Sequence, residues 1–139
     1  TATPTQTPTP TLTATPTATM PAAATGTVKL QGGQALDLDT GTLDSGEADD
    51  LGYQVDGSGF HVLTPRAGTV MGVAGLLEPD PAACQAAGMS AAPLAFESLT
   101  PGSFLCYQTD QALYGWLRYN SLDGGDQSVS LDYRTWITP

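Results

Sequence analysis

The sequence predicts an all-β fold: an antiparallel β-sandwich of about eight short strands, preceded by an extended N-terminal strand or stalk rich in Thr and Pro. Three observations lead to this prediction. Runs of alternating apolar and polar residues recur at intervals of about 8–12 residues, and Gly, Pro or Asp bounds each run. Helix signals are scarce, with one Ala-rich stretch at residues 78–88 that suits a short helix. The N-terminal segment alternates with a period of two.

Residues 1–20 keep this period without a break. The even positions are apolar except for Gln6, and all four prolines of the segment are among them. In an extended strand, side chains alternate between two faces and backbone groups between two edges. The prolines therefore remove donors from one edge only. Threonine fills the odd positions: Thr1, Thr3, Thr5, Thr7, Thr9, Thr11, Thr13, Thr15, Thr17 and Thr19.

Two interpretations of residues 1–20 stay open. As a donor strand, the segment would pair through its Thr edge with an open sheet of another copy. As a stalk, it would run as a solvated polyproline II spacer. In both cases the ten odd-numbered threonines are candidate sites for O-linked glycans. The candidate assembly residues lie on the apolar face: Pro4, Pro8, Pro10, Leu12, Pro16 and Met20.

Charge divides the chain into two parts. Residues 1–25 are uncharged, and residues 26–139 hold all 14 acidic and all 4 basic residues. The second part is long enough for one β-sandwich domain and too short for two domains. A formal net charge of −10 argues against nucleic acid and anionic membranes as partners. The chain lacks an apolar run of about 18 residues, so we expect no membrane insertion.

Cys84 and Cys106 are the only cysteines, and we predict that they form a disulfide. Such a bond would stabilise the domain by about 3 kcal/mol through loop closure. The alternative is a pair of buried free thiols. A disulfide needs an oxidising compartment, and together with the Thr/Pro-rich segment it predicts an extracellular protein at the cell surface.

In the first half of the domain, the alternation predicts two hairpins and a further strand. The first hairpin joins residues 28–30 and 36–38 through a Gly-Gly turn. The second joins residues 53–55 and 60–63 through the turn at 56–59. Residues 69–74 form the further strand.

The second half of the domain is a run of four strands. Turn signals separate the strands at residues 94–99, 103–109, 113–120 and 128–136. Gly115 lies inside the third of them, which indicates either a bulge or a close backbone approach.

Several segments together carry a resemblance to a known class. They are LDLDTG (36–41), ADDL (48–51), Cys84, LTPGSFLCYQT (99–109) and LDYRTW (131–136). This series resembles the small Cys-bridged β-modules that follow Thr/Pro-rich linkers in bacterial surface proteins and in kinase ectodomains. The resemblance implies an exported β-module, and it carries over no catalytic residue.

An acidic stretch supplies the one candidate ion site. Ca²⁺ accepts six to eight oxygen ligands from carboxylates, carbonyls and water. The stretch does not follow the EF-hand pattern, because Gly41 stands at the third ligand position and Thr42 at the turn glycine. Alternatively, its first two aspartates are the solvent face of a strand whose leucines face the core. The candidate Ca²⁺ ligands are Asp37, Asp39, Asp44, Asp49 and Asp50.

We predict that the protein is not an enzyme. His61 is the only histidine, so a multi-His metal site cannot form, and the chain holds no G-x-S-x-G motif. No cofactor other than Ca²⁺ is expected. The late aromatic residues Tyr114 and Trp116, on one strand face with Arg118, either pack in the core or form a platform for sugar rings.

The sequence therefore favours a non-catalytic extracellular structural protein, a subunit of a surface filament or appendage. Its expected partners are other copies of itself, joined through the N-terminal segment. The alternative is a stalked module that binds carbohydrate or peptide through the late aromatic residues.

Overall fold

The computed structural model describes residues 2–9, 22–44, 46 and 49–137. Within them the chain forms ten strands, one short α-helix, α1 (Pro81–Ala86), and a 3₁₀ helix (Phe96–Ser98). The strands are β1 (Ala22–Leu30), β2 (Ala35–Asp37), β3 (Thr42–Leu43), β4 (Leu51–Val55), β5 (His61–Pro65), β6 (Val70–Gly75), β7 (Leu94–Ala95), β8 (Phe104–Gln108), β9 (Tyr114–Asp123) and β10 (Ser128–Trp136).

The strands form two antiparallel sheets of five strands each. Their orders are β1-β10-β9-β8-β6 and β3-β2-β4-β5-β7. The predicted all-β sandwich is thus confirmed. The strand that the sequence analysis did not expect is β3, which has two residues, too few to show an alternating pattern. β7 also has two residues and is the first part of the strand predicted at 94–99.

One hydrophobic core lies between the sheets. Both sheets contribute leucines with no exposed surface, such as Leu51 and Leu63 from one and Leu117 and Leu131 from the other. The Phe96 ring connects the two layers, because its centroid lies 6.1 Å from that of Tyr53 and 4.9 Å from that of Tyr119. This position explains why residues 96–98 leave the predicted strand at 94–99 and turn into a 3₁₀ helix, which places the ring inside the core.

The predicted hairpin between residues 28–30 and 36–38 is wrong. β1 pairs with β10, from Ala22 opposite Trp136 to Leu30 opposite Val129, whereas β2 pairs with β3 and β4 in the other sheet. The nine residues of β10 offer a full ladder to the nine of β1, and β2 has only three. The other hairpin of the first half, β4–β5, and the C-terminal hairpin β9–β10 form as predicted.

Candidate functional site

Strand β1 continues the alternation of the N-terminal segment and shows which side faces the core. Its even-numbered residues Ala24 and Val28 pack against the core, and Leu30 is fully buried. Its threonines sit at odd positions, outside the core: the Thr25 hydroxyl donates to the Tyr133 carbonyl (3.1 Å) and the Thr27 hydroxyl to Asp132 Oδ1 (2.7 Å). Residues 24–30 therefore show, in a strand of this sandwich, the alternation of residues 1–20, with threonine outside and apolar residues toward the core. A register shift between Ala22 and Ala24 interrupts the alternation at the start of β1.

Part of the N-terminal segment is described. Residues 2–9 are exposed and belong to no strand, so Thr3, Thr5, Thr7 and Thr9 are open to solvent, as are Pro4 and Pro8. The remaining predicted glycosylation and assembly residues lie outside the described residues: Thr1, Thr11, Thr13, Thr15, Thr17, Thr19, Pro10, Leu12, Pro16 and Met20.

Strand β6 is the edge strand at the opposite end of the same sheet, and its outer side is only partly paired. Its outer side pairs with Ser90, which exchanges two backbone hydrogen bonds of 2.9 Å with Met71. No other pairing on this side occurs among residues 49–137. Backbone groups two residues apart point to the same edge, so the N–H and C=O of Val73 face outward as those of Met71 do.

The residues of the β6 edge are apolar and uncharged, and the nearest acidic side chains, Glu78 and Asp80, line a second groove with Ala74 and Leu77. Val73, Leu76 and Leu77 are 54%, 64% and 84% exposed, and together they are most of the large exposed apolar side chains in the described chain. Residues 67–77 contain no charged side chain. A groove of about 310 Å³ next to the edge is lined by Met71, Met89, Pro93 and Leu94, among others. An uncharged edge of this kind is an available surface for strand addition.

The predicted disulfide is present and lies next to this edge. It joins Cys84 in α1 to Cys106 in β8, and both cysteines are fully buried. Trp136 packs in the same cluster, and Tyr114 and Trp116 are partly buried against it. The disulfide therefore fastens a six-residue helix to the outer face of the sheet.

The late aromatic face contributes to this cluster. Tyr114 and Trp116 are half-buried, and the Trp116 ring packs edge-on to Phe104 with 5.2 Å between centroids. The Arg118 guanidinium lies 5.9 Å above the Phe104 ring. These are packing contacts on the outer face of the sheet, outside the core between the two sheets.

Three of the five predicted Ca²⁺ ligands come together. Each of Asp37, Asp39 and Asp50 offers a carboxylate oxygen that lies within 4.8 Å of the oxygens offered by the other two. Asp37 ends β2, Asp39 lies in the turn that follows, and Asp50 directly precedes β4. Because β2 and β4 pair, the two ends meet at one corner of the sheet. We refer to these three residues as the acidic cluster.

Asp50 is the most firmly held member of the acidic cluster. It has no exposed surface, and its Oδ2 accepts the Leu38 N–H at 2.8 Å. Its Oδ1 accepts the Thr69 hydroxyl at 2.8 Å and the Asp110 N–H at 3.3 Å. Burial raises the pKa of Asp50, and the Asp110 charge adds to this rise, while the three donors oppose it.

Asp39 is the least satisfied member. Neither of its carboxylate oxygens has a hydrogen-bond partner within the described parts of the chain, and the residue is only 9% exposed. Burial, followed by the charges of Asp50 and Asp110, raises the pKa of Asp39 to about 6. The Thr109 hydroxyl lies near enough to offset part of this rise, but not in the geometry of a hydrogen bond.

The other two predicted ligands make backbone hydrogen bonds outside the acidic cluster. Asp44 Oδ1 accepts the Ala35 N–H and Asp49 Oδ2 accepts the Gly46 N–H, each at 3.0 Å. The fold instead places Thr109 and Asp110 beside the acidic cluster. The sequence predicts only a strand end at Thr109 and a turn at Asp110. Because these two residues lie about 60 positions after Asp50, no local pattern could indicate that they approach it.

His61 belongs to a separate contact. Its Nδ1 lies 2.5 Å from Glu97 Oε1, and its backbone N–H donates to the same carboxylate. Its ring stacks on Tyr53 at 6.3 Å between centroids. The pair thus fastens β5 to the 3₁₀ helix, which is a structural role.

The fold and the disulfide define a small β-sandwich of an oxidising, non-cytoplasmic compartment. No helix in the described residues has the length and apolar character needed to cross a membrane. No protein-family model, curated protein or solved structure matches the chain.

Proposed function

We propose that this protein is a non-catalytic extracellular structural subunit, which assembles with other copies of itself into a surface filament or appendage through its N-terminal segment. The observation that carries this proposal is the alternation of threonine and apolar residues that residues 1–20 share with residues 24–30 of β1. In β1 that alternation places threonines outside and apolar residues on the core. A segment with the same alternation is suited to act as a strand of a second sandwich.

We propose that the acceptor is the outer edge of β6. This edge offers the outward N–H and C=O of Val73. The donor would present the complete row of backbone groups on its Thr edge, while its proline edge would stop a further strand from adding. The proline edge thus favours the addition of one strand and no more.

The distribution of charge supports the pairing of the N-terminal segment with the β6 edge. Copies with a net charge of −10 repel one another, so close contact is least costly where neither surface is charged. Residues 1–25 carry no charge, and neither do residues 67–77. Nineteen extended residues span roughly 60 Å, which is enough to leave one domain and cross another. The Thr face would then remain accessible for O-linked glycans.

The first experiment compares the parent chain with three variants by sedimentation velocity and electron microscopy. Deletion of residues 1–20 keeps β1 intact and is expected to give a folded monomer. Insertion of one residue after Thr9 puts the two halves of the segment on opposite faces and moves Pro16 to the pairing edge, so assembly is expected to weaken strongly. Leu12→Val keeps the alternation and is expected to assemble nearly as the parent does.

The acceptor is tested with Val73→Lys, which adds a charge to the β6 edge and is expected to block assembly while the domain stays folded. Phe60→Lys is the matched control, since Phe60 is 48% exposed and lies in the β4–β5 turn of the other sheet. Assembly of the deletion variant at the parental level would refute the proposal and favour the stalked binding module. Equal effects of the two lysine variants would refute β6 as the acceptor.

A further inference from the structure

We propose that the acidic cluster of Asp37, Asp39 and Asp50 binds a calcium ion. The three aspartates lie at the ends of β2 and β4, in the sheet that does not contain β6, although Thr69, directly before β6, donates to Asp50. The inference does not rest on the assembly proposal. The inference rests on three properties of the cluster: an unpartnered buried carboxylate, the spacing of the oxygens, and the way in which the other two carboxylates are held.

The unpartnered carboxylate is that of Asp39. The residue is about nine-tenths buried, and both oxygens lack a donor among the described residues. A buried polar group without a partner is rare, and a buried charge without one is costlier still. The ion pairs found in the described chain involve Lys29, His61 and Arg118, and none of them reaches the cluster. A bound cation supplies the missing partner.

The spacing of the oxygens fits calcium. Ligand oxygens lie about 2.4 Å from Ca²⁺, so two oxygens on one ion are at most about 4.8 Å apart. The three aspartates each offer an oxygen within 4.8 Å of the other two. The Asp110 carboxyl approaches Asp39 from the exposed rim, where water completes a coordination of six to eight.

Hydrogen bonds hold the carboxylates of Asp37 and Asp50 in place and leave lone pairs on their oxygens for an ion. Asp37 Oδ1 accepts the Asp39 N–H at 2.9 Å, and Asp50 accepts the Leu38 N–H and the Thr69 hydroxyl. Such bonds orient a ligand carboxylate and retain lone pairs for a metal. A largely buried site of this kind favours Ca²⁺ over Mg²⁺, because Mg²⁺ gives up its water ligands reluctantly.

The competing explanation is a proton shared within the cluster in place of a metal ion. The two explanations differ in one observable, since only the metal site responds to calcium at constant pH and ionic strength. The first experiment therefore follows thermal unfolding of the full chain in EDTA and in CaCl₂ at pH 7.5. At free calcium about ten times the dissociation constant, Tm is expected to rise by about 5 °C. MgCl₂ at the same concentration is expected to give a clearly smaller rise.

Two variants test the assignment to the acidic cluster. Asp39→Asn removes the unpartnered charge and is expected to abolish the calcium-dependent rise in Tm and to weaken calcium binding at least about tenfold. Asp80→Asn removes one charge from the α1 N-cap, where asparagine caps equally well, and is expected to keep the full response. The pair separates site binding from general screening of a chain with net charge −10.

Direct binding is measured on the parent chain by calorimetric titration with CaCl₂, which does not depend on any variant folding. Terbium provides a second probe, because Tyr107 lies in β8 close to the cluster and can sensitise its luminescence. We expect one site per chain and displacement of terbium by calcium. Absence of both a Tm rise and titration heat at up to about 10 mM calcium, or an equal Tm rise in the two variants, would overturn the proposal. An equal rise with Mg²⁺ would overturn the assignment to calcium.

Discussion

At the scale of single residues, Asp39 shows that a side chain can be buried where the local alternation of the sequence favours exposure. The alternation around Leu36 and Leu38 suggested that the neighbouring aspartates face solvent, yet Asp37, Asp39 and Asp50 are all buried. The strand ends at Asp37, and the turn that follows carries Asp39 inward beside Asp50. Of the two alternatives for Asp37 and Asp39, the solvent-facing one is therefore wrong, while Leu36 and Leu38 face the core as that alternative assumed.

Gly115 is a second residue at which the sequence left two possibilities and the structure selects one. A Cβ built on Gly115 would lie 2.3 Å from the Arg134 carbonyl oxygen and 2.5 Å from the Tyr107 ring. The glycine thus marks a close approach of β9 to its neighbouring strands. The irregularity between β9 and β10 instead lies where Ser130 and Leu131 face Ser121 and Tyr119.

We therefore expect Gly115→Ala to lower the free energy of unfolding by about 1–3 kcal/mol, since backbone atoms that cannot rotate away must shift. Gly124→Ala is the control, because a Cβ at Gly124 in the β9–β10 turn meets nothing within 4 Å. Urea denaturation of the parent and both variants measures the difference. Equal midpoints for the two variants would contradict the prediction.

At the scale of secondary-structure elements, the sequence predicted strands better than their partners. The bounds of β10 and the turn of the β4–β5 hairpin follow from local alternation and turn residues. The pairing of β1 with β10 joins the two ends of the sandwich, and nothing in either strand alone specifies it. The same limit applies to the candidate ion site: Asp37, Asp39 and Asp50 are close in sequence and were predicted together, whereas Asp110 was not.

Helix α1 depends on its covalent link more than on its own propensity. Six residues are too few for a stable isolated helix, although Asp80 caps the N-terminus by accepting the Ala83 N–H at 2.7 Å. The Cys84–Cys106 disulfide joins it to β8. The helix covers the outer face of the sheet near Trp116 because this bond holds it there.

We expect reduction of the unfolded chain to raise its mass by two hydrogens, and the double variant Cys84→Ala/Cys106→Ala to lose about 3 kcal/mol of stability. Intact-mass measurement with and without reductant tests the first result, and urea denaturation tests the second. An unchanged mass on reduction would show that the disulfide is absent. The chief support for an oxidising compartment would then be lost.

At the scale of the whole molecule, residues 2–9 and the sandwich differ in how accessible their hydroxyls are. Thr3, Thr5, Thr7 and Thr9 are exposed, whereas the hydroxyls of Thr25 and Thr27 donate hydrogen bonds to β10. A glycosyltransferase needs a free hydroxyl on an extended chain. The boundary of modification should therefore coincide with the start of the folded sandwich.

We expect O-linked glycans on several of the odd-numbered threonines from Thr1 to Thr19, and none on Thr25 or Thr27. Peptide mapping by mass spectrometry of the protein from its native source locates them. An N-terminal peptide at its unmodified mass would refute this prediction. Glycans on Thr25 or Thr27 would show that β1 is not folded when modification occurs.

The antiparallel pairing of β1 with β10 determines how the sandwich would respond to mechanical load. Ala22 lies opposite Trp136, so the N- and C-terminal ends of the two strands sit side by side. Tension applied between these two points would peel the strands apart one backbone hydrogen bond after another, instead of shearing the whole ladder at once. The sandwich is therefore weak when it is pulled by these two ends.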